Sequence, residues 1–458
     1  MRPRIVIAAL LALFITACNG GTDWELLFAQ NSVVSAGVVA AADAQEVDRL
    51  GSSTAIDGDL AAFGAPNEDG GPGDPLPETG AVYVFARGET TWEAQAKLLA
   101  SDAGANYLFG SAVEISGNYL IAGAPGRASS LGGVYVFARD TETGDWDLGF
   151  SPLITDLTGT DMLGGAVAIS GDWLAVGGPG HDTGGINAGA VWISERTGPG
   201  NSWSNGVRLQ ASDAQMGDQF GWSVALSGDW LAVGAPGEDG PSEQRPDAGA
   251  VYVFHRTGPG NVWDAGTKLI PESPGLADQF GFDVDLSGER MIVGAPGDDG
   301  TVGDSVPSAG TAYIFEYSDM SWQQTEQLRA VALRSEDFFG FSVGIDGNLA
   351  VVGVPGWDCF NPYICPLDAI GDDVGVAYVW GRYEDGTWGV RGILPNLVST
   401  QNDRMGWSVG VSGAYLSTGA SEGGGAVGND VPDAGTGFFY KSPTSPPIIC
   451  SPISWSCI

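Results

Sequence analysis

The sequence predicts an all-β fold, a seven-bladed β-propeller of four-stranded antiparallel blades, with the ring closed by an N-terminal strand. Three observations predict it. One phrase with fixed internal spacing occurs seven times. The first six copies contain four short apolar segments separated by turns, and glycine is 72 of 458 residues, roughly twice its average share. A single copy has too little apolar surface to be stable alone. Radial stacking of the copies would bury this surface and join them in one domain.

Each copy opens on a glycine that lies 54 to 66 residues after the previous one. Fifteen residues later the first six copies have a proline that ends a Gly-Ala-Pro type segment, as in Gly221 and Pro236. A Ser/Asp-Gly-Asp/Asn turn lies between them and predicts a two-residue hairpin, because glycine accepts positive φ. The opening glycines are Gly51, Gly110, Gly164, Gly221, Gly281, Gly340 and Gly406.

Four strands are predicted in each of the first six copies. In the fourth copy, strand 1 covers 222–226, strand 2 is the LAVGAP segment, strand 3 is the aromatic VYVF segment from Val251, and strand 4 runs from Trp263 through Leu269. The tryptophan and the strand-3 aromatics keep the same place in successive copies. We therefore interpret them as core residues rather than as a sugar-binding stripe.

The two ends of the chain predict how the ring closes. The seventh copy has strands 1 to 3 and then a proline-rich segment that does not suit a regular fourth strand. Near the N-terminus, Asp43-Ala44-Gln45 matches Asp213-Ala214-Gln215, which follows strand 4 of another copy. Residues 33–41 are therefore predicted to supply the missing strand and to pair with the seventh copy. The place of Trp24 is left open.

The pattern FG…GAP…VYVF…W resembles FG-GAP repeats, which form the seven-bladed propeller of integrin α subunits and occur in many bacterial surface proteins. The resemblance covers about residues 30–440 and implies the propeller fold. Integrin blades also carry calcium loops between strands 1 and 2. Here that turn is as short as Ser170-Gly171-Asp172, which cannot supply six to eight oxygen ligands, so that calcium site is not carried over.

The N-terminus predicts export. Arg2 and Arg4 precede a 13-residue apolar run that ends in Ala17-Cys18, and this ending resembles the lipobox of bacterial lipoproteins. The predicted organisation is a lipoprotein signal peptide at 1–17, lipidation at Cys18, an anchor linker at 18–32, the propeller at 33–440 and a proline-rich tail at 441–458. The predicted location is the outer membrane or cell surface. An ordinary signal peptide is the alternative.

Charge and cysteine content narrow the function classes. The net charge of −37 argues against nucleic-acid binding, and two histidines argue against His-rich metal sites. The remaining cysteines form two closely spaced pairs, as expected of local disulfides in an exported protein. The pairs are Cys359 with Cys365 and Cys450 with Cys457.

The loops between strands 2 and 3 vary most in length, and in antiparallel blades they emerge on the same face as the loops between blades. Calcium is the candidate cofactor on this face, against the alternative of aspartates in glycine-rich turns. The candidate metal ligands are Asp69, Asp182, Asp239, Asp298 and Asp299. The candidate binding residues lie in the non-repeated loop that contains the first cysteine pair: Trp357, Phe360 and Tyr363.

A further set of aspartates lies three residues before six of the opening glycines. They are interpreted as acceptors for backbone N–H groups at the turn between blades, with a cation-attracting ring as the alternative. The set is Asp48, Asp161, Asp218, Asp278, Asp337 and Asp403.

Three functions remain open on the sequence. The favoured one is a lipid-anchored binding or adhesion module without catalysis, which contacts a protein or glycan at the loop face. The second is a polysaccharide lyase or hydrolase, which would need one blade to depart from the repeat with clustered carboxylates, Arg or His. The third is a structural subunit of an envelope complex. Fold alone does not separate them.

Overall fold

The chain forms a closed ring of seven antiparallel β-sheets, as predicted. The first strand of each sheet packs against the first strand of the next, and the seventh sheet returns to the first. The computed structural model describes residues 34–70, 76–147, 149, 151, 154, 156–157, 159–198, 200–240, 244–300, 306–330, 333–358, 372–394, 402–423, 431 and 433–442.

Strand β1 (Val34–Val39) comes first in the chain and belongs to the last blade. Blade 1 contains β2 (Ser53–Asp57), β3 (Leu60–Ala65), β4 (Ala81–Arg87) and β5 (Trp92–Leu98). Blade 2 contains β6 (Val113–Ser116), β7 (Tyr119–Gly123) and β8 (Val134–Ala138), with the helical turn α1 (Arg127–Ser130) between β7 and β8. Blade 3 contains β9 (Ala166–Ser170), β10 (Trp173–Gly178), β11 (Ala190–Glu195) and β12 (Val207–Leu209).

Blade 4 contains β13 (Ser223–Ser227), β14 (Trp230–Ala235), β15 (Ala250–His255) and β16 (Thr267–Leu269). Blade 5 contains β17 (Val284–Ser287), β18 (Arg290–Ala295), β19 (Thr311–Ser318) and β20 (Ser321–Leu328). Blade 6 contains β21 (Val343–Asp346), β22 (Leu349–Val354), β23 (Val376–Arg382) and β24 (Trp388–Leu394). Blade 7 contains β25 (Met405–Ser412), β26 (Tyr415–Ala420) and β27 (Thr436–Lys441).

The N-terminal strand closes the ring. β1 pairs antiparallel with β27, with Val34 opposite Lys441 and Val39 opposite Gly437. The ring of Trp92 in blade 1 stacks on Phe439 in blade 7 at a centroid distance of 4.1 Å. The sequence prediction of closure is confirmed, because the strand that blade 7 lacks at its own end is supplied from the start of the propeller.

The recurring glycines allow close contact between blades. The glycine before Ala-Pro in one blade lies against the opening glycine of the next. A Cβ at Gly234, for example, would overlap the carbonyl oxygen of Gly281. The equivalent contact at the closure joins Gly419 and Gly51. Side chains at these positions would push adjacent blades apart, which accounts for part of the glycine excess.

The turn between the first two strands of each blade links that blade to its neighbour. Its glycine has φ between 57° and 60° in all seven blades, which suits the first central position of a type II′ hairpin. The N–H of that glycine donates to a Ser or Asp side chain of the preceding blade. The acceptor–donor pairs are Asp57–Gly117, Ser116–Gly171, Ser170–Gly228, Ser227–Gly288, Ser287–Gly347, Asp346–Gly413 and Ser412–Gly58.

The predicted core residues are buried. Phe220 packs edge to face on Tyr252 and Phe254 within blade 4, and equivalent aromatic contacts recur in blades 2, 5 and 6. The first aromatic residue of strand 3 is at most 7 % exposed in the seven blades. The interpretation of these rings as core rather than as a ligand platform is confirmed.

The prediction of a continuous fourth strand is wrong for blades 3 and 4. There β12 and β16 have three residues each, and Trp203 and Trp263 form only isolated bridges to the preceding strand. The residue after each tryptophan interrupts the ladder, because the Ser204 hydroxyl accepts the N–H of Glu195 and the Asp264 carboxylate accepts the N–H of His255. In blade 4, the Asn261 amide donates to the carbonyl of Ile193 in blade 3 and accepts from the Trp263 indole N–H.

Several predicted residues lie outside the described part of the chain. They are Cys18, Trp24, Cys359, Phe360, Tyr363, Cys365, Cys450 and Cys457. Within the described part, none of the helical structure is long and apolar enough to cross a membrane.

Candidate functional site: the loop face and the channel

The loops between strands 2 and 3 and the loops between blades lie on the same side of the propeller, here called the loop face. Isolated parallel β-bridges join the two kinds of loop, for example between Gly249 and Phe280 and between Gly310 and Phe339. The loop face therefore collects the segments that vary between copies, as the loop lengths indicate.

The aspartates three residues before the opening glycines are buried and hold the turns between blades. Asp48 accepts from the Gln45 N–H at 2.6 Å, Asp218 from Gln215 at 2.7 Å and Asp337 from Arg334 at 2.6 Å. Burial raises the pKa of Asp48 to about 6 and that of Asp337 to about 7. The interpretation as turn acceptors is confirmed for Asp48, Asp218, Asp278 and Asp337, whereas Asp161 Oδ2 lies 3.1 Å from His181 Nδ1.

Four of the predicted metal ligands accept a backbone N–H from the far side of their own loop. The pairs are Asp69 with Glu78 (2.9 Å), Asp182 with Asn187 (3.0 Å), Asp239 with Asp247 (3.2 Å) and Asp299 with Ser308 (2.8 Å). Among the described residues, no group of three or more His, Cys, Asp or Glu side chains is placed to hold a metal ion. The calcium site stays a prediction.

The fifth candidate ligand, Asp298, belongs to a buried ionic network. It accepts from Tyr313 at 2.5 Å and pairs with Arg329 at 3.0 Å. In blade 4 the same position is Glu238, which pairs with Lys268. Each of these carboxylates has a cation as its partner, because a buried charge without one would be costly.

Blade 3 has a histidine at this position. His181 is fully buried, with Nδ1 at 3.1 Å from Asp161 Oδ2 and Nε2 at 2.8 Å from Thr183 Oγ1. Nη1 of Arg208 lies 3.1 Å from His181 Nε2, and the ring meets Trp192 edge-on. The sequence indicates His181 only as part of an acidic loop, because Asp161 and Arg208 lie 20 and 27 residues away.

The predicted binding loop is described only at its start. Trp357 is half-buried and packs against the core between blades 5 and 6. Its carbonyl accepts from the Gly375 N–H at 3.0 Å. The binding role of Trp357 stays a prediction, as do those of Phe360 and Tyr363.

A channel of about 560 Å³ runs through the centre of the ring, lined by the seven innermost strands. Residues that follow four consecutive opening glycines form an arc of half-buried aromatic rings at its loop-face mouth, here called the aromatic arc. Adjacent centroids are 5.6, 5.0 and 4.7 Å apart, in the order Trp222, Phe282, Phe341 and Trp407. The opposite side has Ser52, Ser111 and Gly165.

Carboxylates line the channel wall. Glu114 in blade 2 lies close enough to Asp283 and Asp285 in blade 5 for their charges to repel, and the three side chains are half-buried along the channel. Burial and repulsion from Asp285 raise the pKa of Glu114 to about 8. Burial raises the pKa of Asp283 and Asp285 to about 7, while each accepts N–H bonds from its own strand and from blade 6.

Sequence analysis does not identify the channel site. The sequence feature that marks this site is the residue after each opening glycine. It is aromatic in blades 4 to 7 and small in blades 1 to 3. The strands that contribute it are about sixty residues apart, so only the closed ring brings them together.

Comparison with known families gives one result. A family model described as FG-GAP repeat matches six segments, which together cover more than half of the chain: residues 35–85, 92–137, 155–194, 203–254, 263–315 and 322–380. No curated protein matches the chain.

Proposed function

The chain belongs to the FG-GAP repeat family, and from this premise we propose that it is a lipid-anchored binding and adhesion module of the cell envelope. The FG-GAP propeller fold points to a protein-interaction module. The finer parts of the proposal are the anchor at Cys18, a location at the outer membrane or cell surface, and a protein or glycan partner at the loop face.

The observation that carries the proposal is the aromatic arc. Trp222, Phe282, Phe341 and Trp407 are half-exposed at the mouth of a channel of binding-site size, with carboxylates below them. Aromatic side chains contribute much of the contact energy in protein interfaces and ligand sites, and a concave site with a few polar groups favours a specific partner.

Charge restricts the partner. The chain has a net charge of −37, and three of its carboxylates, Glu114, Asp283 and Asp285, line the channel wall below the aromatic arc. An acidic field repels anionic polymers and favours neutral or positively charged surfaces. We therefore expect a neutral glycan or a basic protein surface rather than a polyanionic polysaccharide.

Binding of the purified protein to an array of glycans and matrix proteins, with and without calcium, tests this proposal. Serine already occupies the equivalent position in blades 1 and 2, as Ser52 and Ser111. The fold should therefore tolerate the replacement of Phe282 and Phe341 by serine. We expect partner binding to fall at least about tenfold in this variant. Met320→Ser, on the hairpin side and 90 % exposed, is the control.

Equal binding by wild type and the Phe282→Ser/Phe341→Ser variant would show that the aromatic arc does not contribute to the binding site. The non-repeated loop would then be the next candidate, and replacing Trp357, Phe360 and Tyr363 by serine would test it. A complete lack of binding across the array would favour the alternative of a structural subunit in an envelope complex.

The anchor has a separate test. Wild type expressed in a Gram-negative host should incorporate labelled palmitate and sediment with membranes. Cys18→Ser should lose the label and appear in soluble fractions, because a lipid chain provides the proposed attachment. Membrane sedimentation of Cys18→Ser without label would contradict lipidation at this residue.

A further inference from the structure

Blade 3 places a surface hydroxyl, an imidazole and a carboxylate in series. Oγ1 of Thr183 lies 2.8 Å from Nε2 of His181, whose Nδ1 lies 3.1 Å from Oδ2 of Asp161. Thr183 is exposed, whereas His181 and Asp161 are fully buried. A nucleophile, a general base and an orienting acid have this order and spacing in hydroxyl-based hydrolases of unrelated folds.

The neighbouring arginine fixes the imidazole tautomer. Nη1 of Arg208 lies 3.1 Å from His181 Nε2, and a guanidinium only donates hydrogen bonds. Nε2 must therefore carry the lone pair, and the ring proton sits on Nδ1, where it is donated to Asp161. In this tautomer the Nε2 lone pair is shared between the Arg208 guanidinium and the nearer Thr183 hydroxyl, at 2.8 Å, whose proton it can accept.

This arrangement departs from the pattern of the other blades. The position of His181 is occupied by Glu68, Glu238 and Asp298 in blades 1, 4 and 5, each paired with a Lys or Arg. The position of Thr183 is glycine in those blades. An ionic network alone needs neither the histidine nor the hydroxyl, so their joint presence calls for a role of its own.

We propose that Thr183, His181 and Asp161 form a catalytic triad that hydrolyses neutral carboxylic esters. The net charge of −37 disfavours anionic substrates. Beside Thr183 on the loop face, Ile186 and Met216 are 63 % and 72 % exposed, and the Gly217 N–H joins the two loops by donating to the Ile186 carbonyl. Together they offer an apolar surface to a short acyl chain.

The reaction proceeds in two balanced steps. Oγ1 of Thr183 attacks the ester carbonyl while His181 Nε2 takes its proton, and the resulting imidazolium protonates the departing alkoxide, which leaves as the alcohol. An acyl ester on Thr183 remains. Water then attacks this ester, with His181 again accepting and returning the proton, and the carboxylic acid leaves with Thr183 restored.

The side chains of Arg208, on β12, and Gln210, directly after it, both contact Thr183. Arg208, which pairs with Asp156, lies 3.5 Å from Thr183 Oγ1, within reach of the oxyanion that forms during attack. Gln210 Nε2 donates to the Thr183 carbonyl at 2.7 Å and holds the main chain of the nucleophile. Gln210 is a positioning residue, since it acts through Thr183.

Hydrolysis of p-nitrophenyl acetate and p-nitrophenyl butyrate by the purified full-length protein tests the proposal. We expect turnover above the buffer rate and a drop of kcat/KM by about 10³-fold in Thr183→Val, which keeps the shape of threonine without its hydroxyl. Thr183→Ser should retain activity, because it keeps the nucleophile. Mass spectrometry of the wild type quenched during turnover should find the acyl group on Thr183.

Equal rates for wild type and Thr183→Val, or an acyl group on another residue, would overturn the proposal. So would the absence of turnover in a wild-type sample shown to be folded by its melting transition. Thr183→Val should keep that transition and also any binding measured on the array. The failure of the esterase proposal is therefore distinguishable from failure of the binding proposal.

Discussion

Oγ of Ser412 accepts a hydrogen bond of 3.0 Å from the backbone N–H of Gly58, although 354 residues separate them. Ser412 ends the innermost strand of blade 7, and Gly58 begins the hairpin of blade 1. Six equivalent bonds join the other neighbouring blades, so this one completes a circle of side chain–backbone bonds around the hairpin end of the channel. The recurring Ser or Asp before the hairpin glycine therefore links blades as well as ending a strand.

Ser412→Ala should lower the free energy of unfolding by about 1 kcal/mol, the usual net contribution of one such hydrogen bond. Ser227→Ala, which removes the equivalent bond between blades 4 and 5, should cost a similar amount. Urea unfolding followed by tryptophan fluorescence measures both, with exposed Ser35→Ala as the control. No loss of stability in either variant would show that the circle contributes nothing to the ring.

Gly234→Ala should destabilise the protein strongly, because its Cβ would overlap the carbonyl oxygen of Gly281 in the next blade. Forcing the backbones apart costs roughly 2–3 kcal/mol or more. Gly258→Ala is the matched control, since its Cβ would meet open space in the same blade. Thermal unfolding should separate the two variants clearly, and equal melting temperatures would contradict the close contact between blades.

Glu114→Gln should stabilise the protein more at alkaline than at acid pH. The pKa of Glu114 is raised to about 8, so its contribution to stability is fully present below about pH 4 and is lost as pH rises through about 8. Since one pKa unit corresponds to about 1.4 kcal/mol, the gain should reach roughly 2–4 kcal/mol at pH 9. Unfolding across pH 4–9 measures it, with exposed Glu93→Gln as the control. A gain independent of pH would contradict the raised pKa.

Asp299→Ala should reduce stability by about 1 kcal/mol whether or not calcium is present, because Asp299 accepts the Ser308 N–H within its loop. Melting curves in EDTA and in millimolar calcium give the comparison. A loss seen only with calcium, together with a calcium-induced rise in the wild-type melting temperature, would instead support a metal site at this loop.

Repetition made much of the fold predictable. Because Gly221, Ser227 and Pro236 keep their spacing in several copies, each copy confirms the strand and turn assignments of the others. The spacing also revealed the missing fourth strand and its replacement by β1. The prediction of strand 4 was wrong in blades 3 and 4, because the side chains of Ser204 and Asp264 accept strand-3 N–H groups next to the tryptophan, and the repeat pattern does not report those contacts.

The candidate sites were less predictable. The interpretation of Asp48, Asp218 and Asp337 as turn acceptors is correct, because a buried carboxylate near a turn is held by bonds close in sequence. The repeat pattern does not distinguish Trp222, Phe282 or Glu114, since each is unremarkable within its own blade. The neighbours that give them a role lie in other blades.

The sequence by itself determined the number of blades, the order of strands, the closing strand and the places where glycine is required. These features follow from local backbone chemistry repeated in constant register. Only the tertiary structure decided what faces the channel and what surrounds His181. Both depend on side chains that circular closure and strand pairing bring together, and distance along the chain does not encode such contacts.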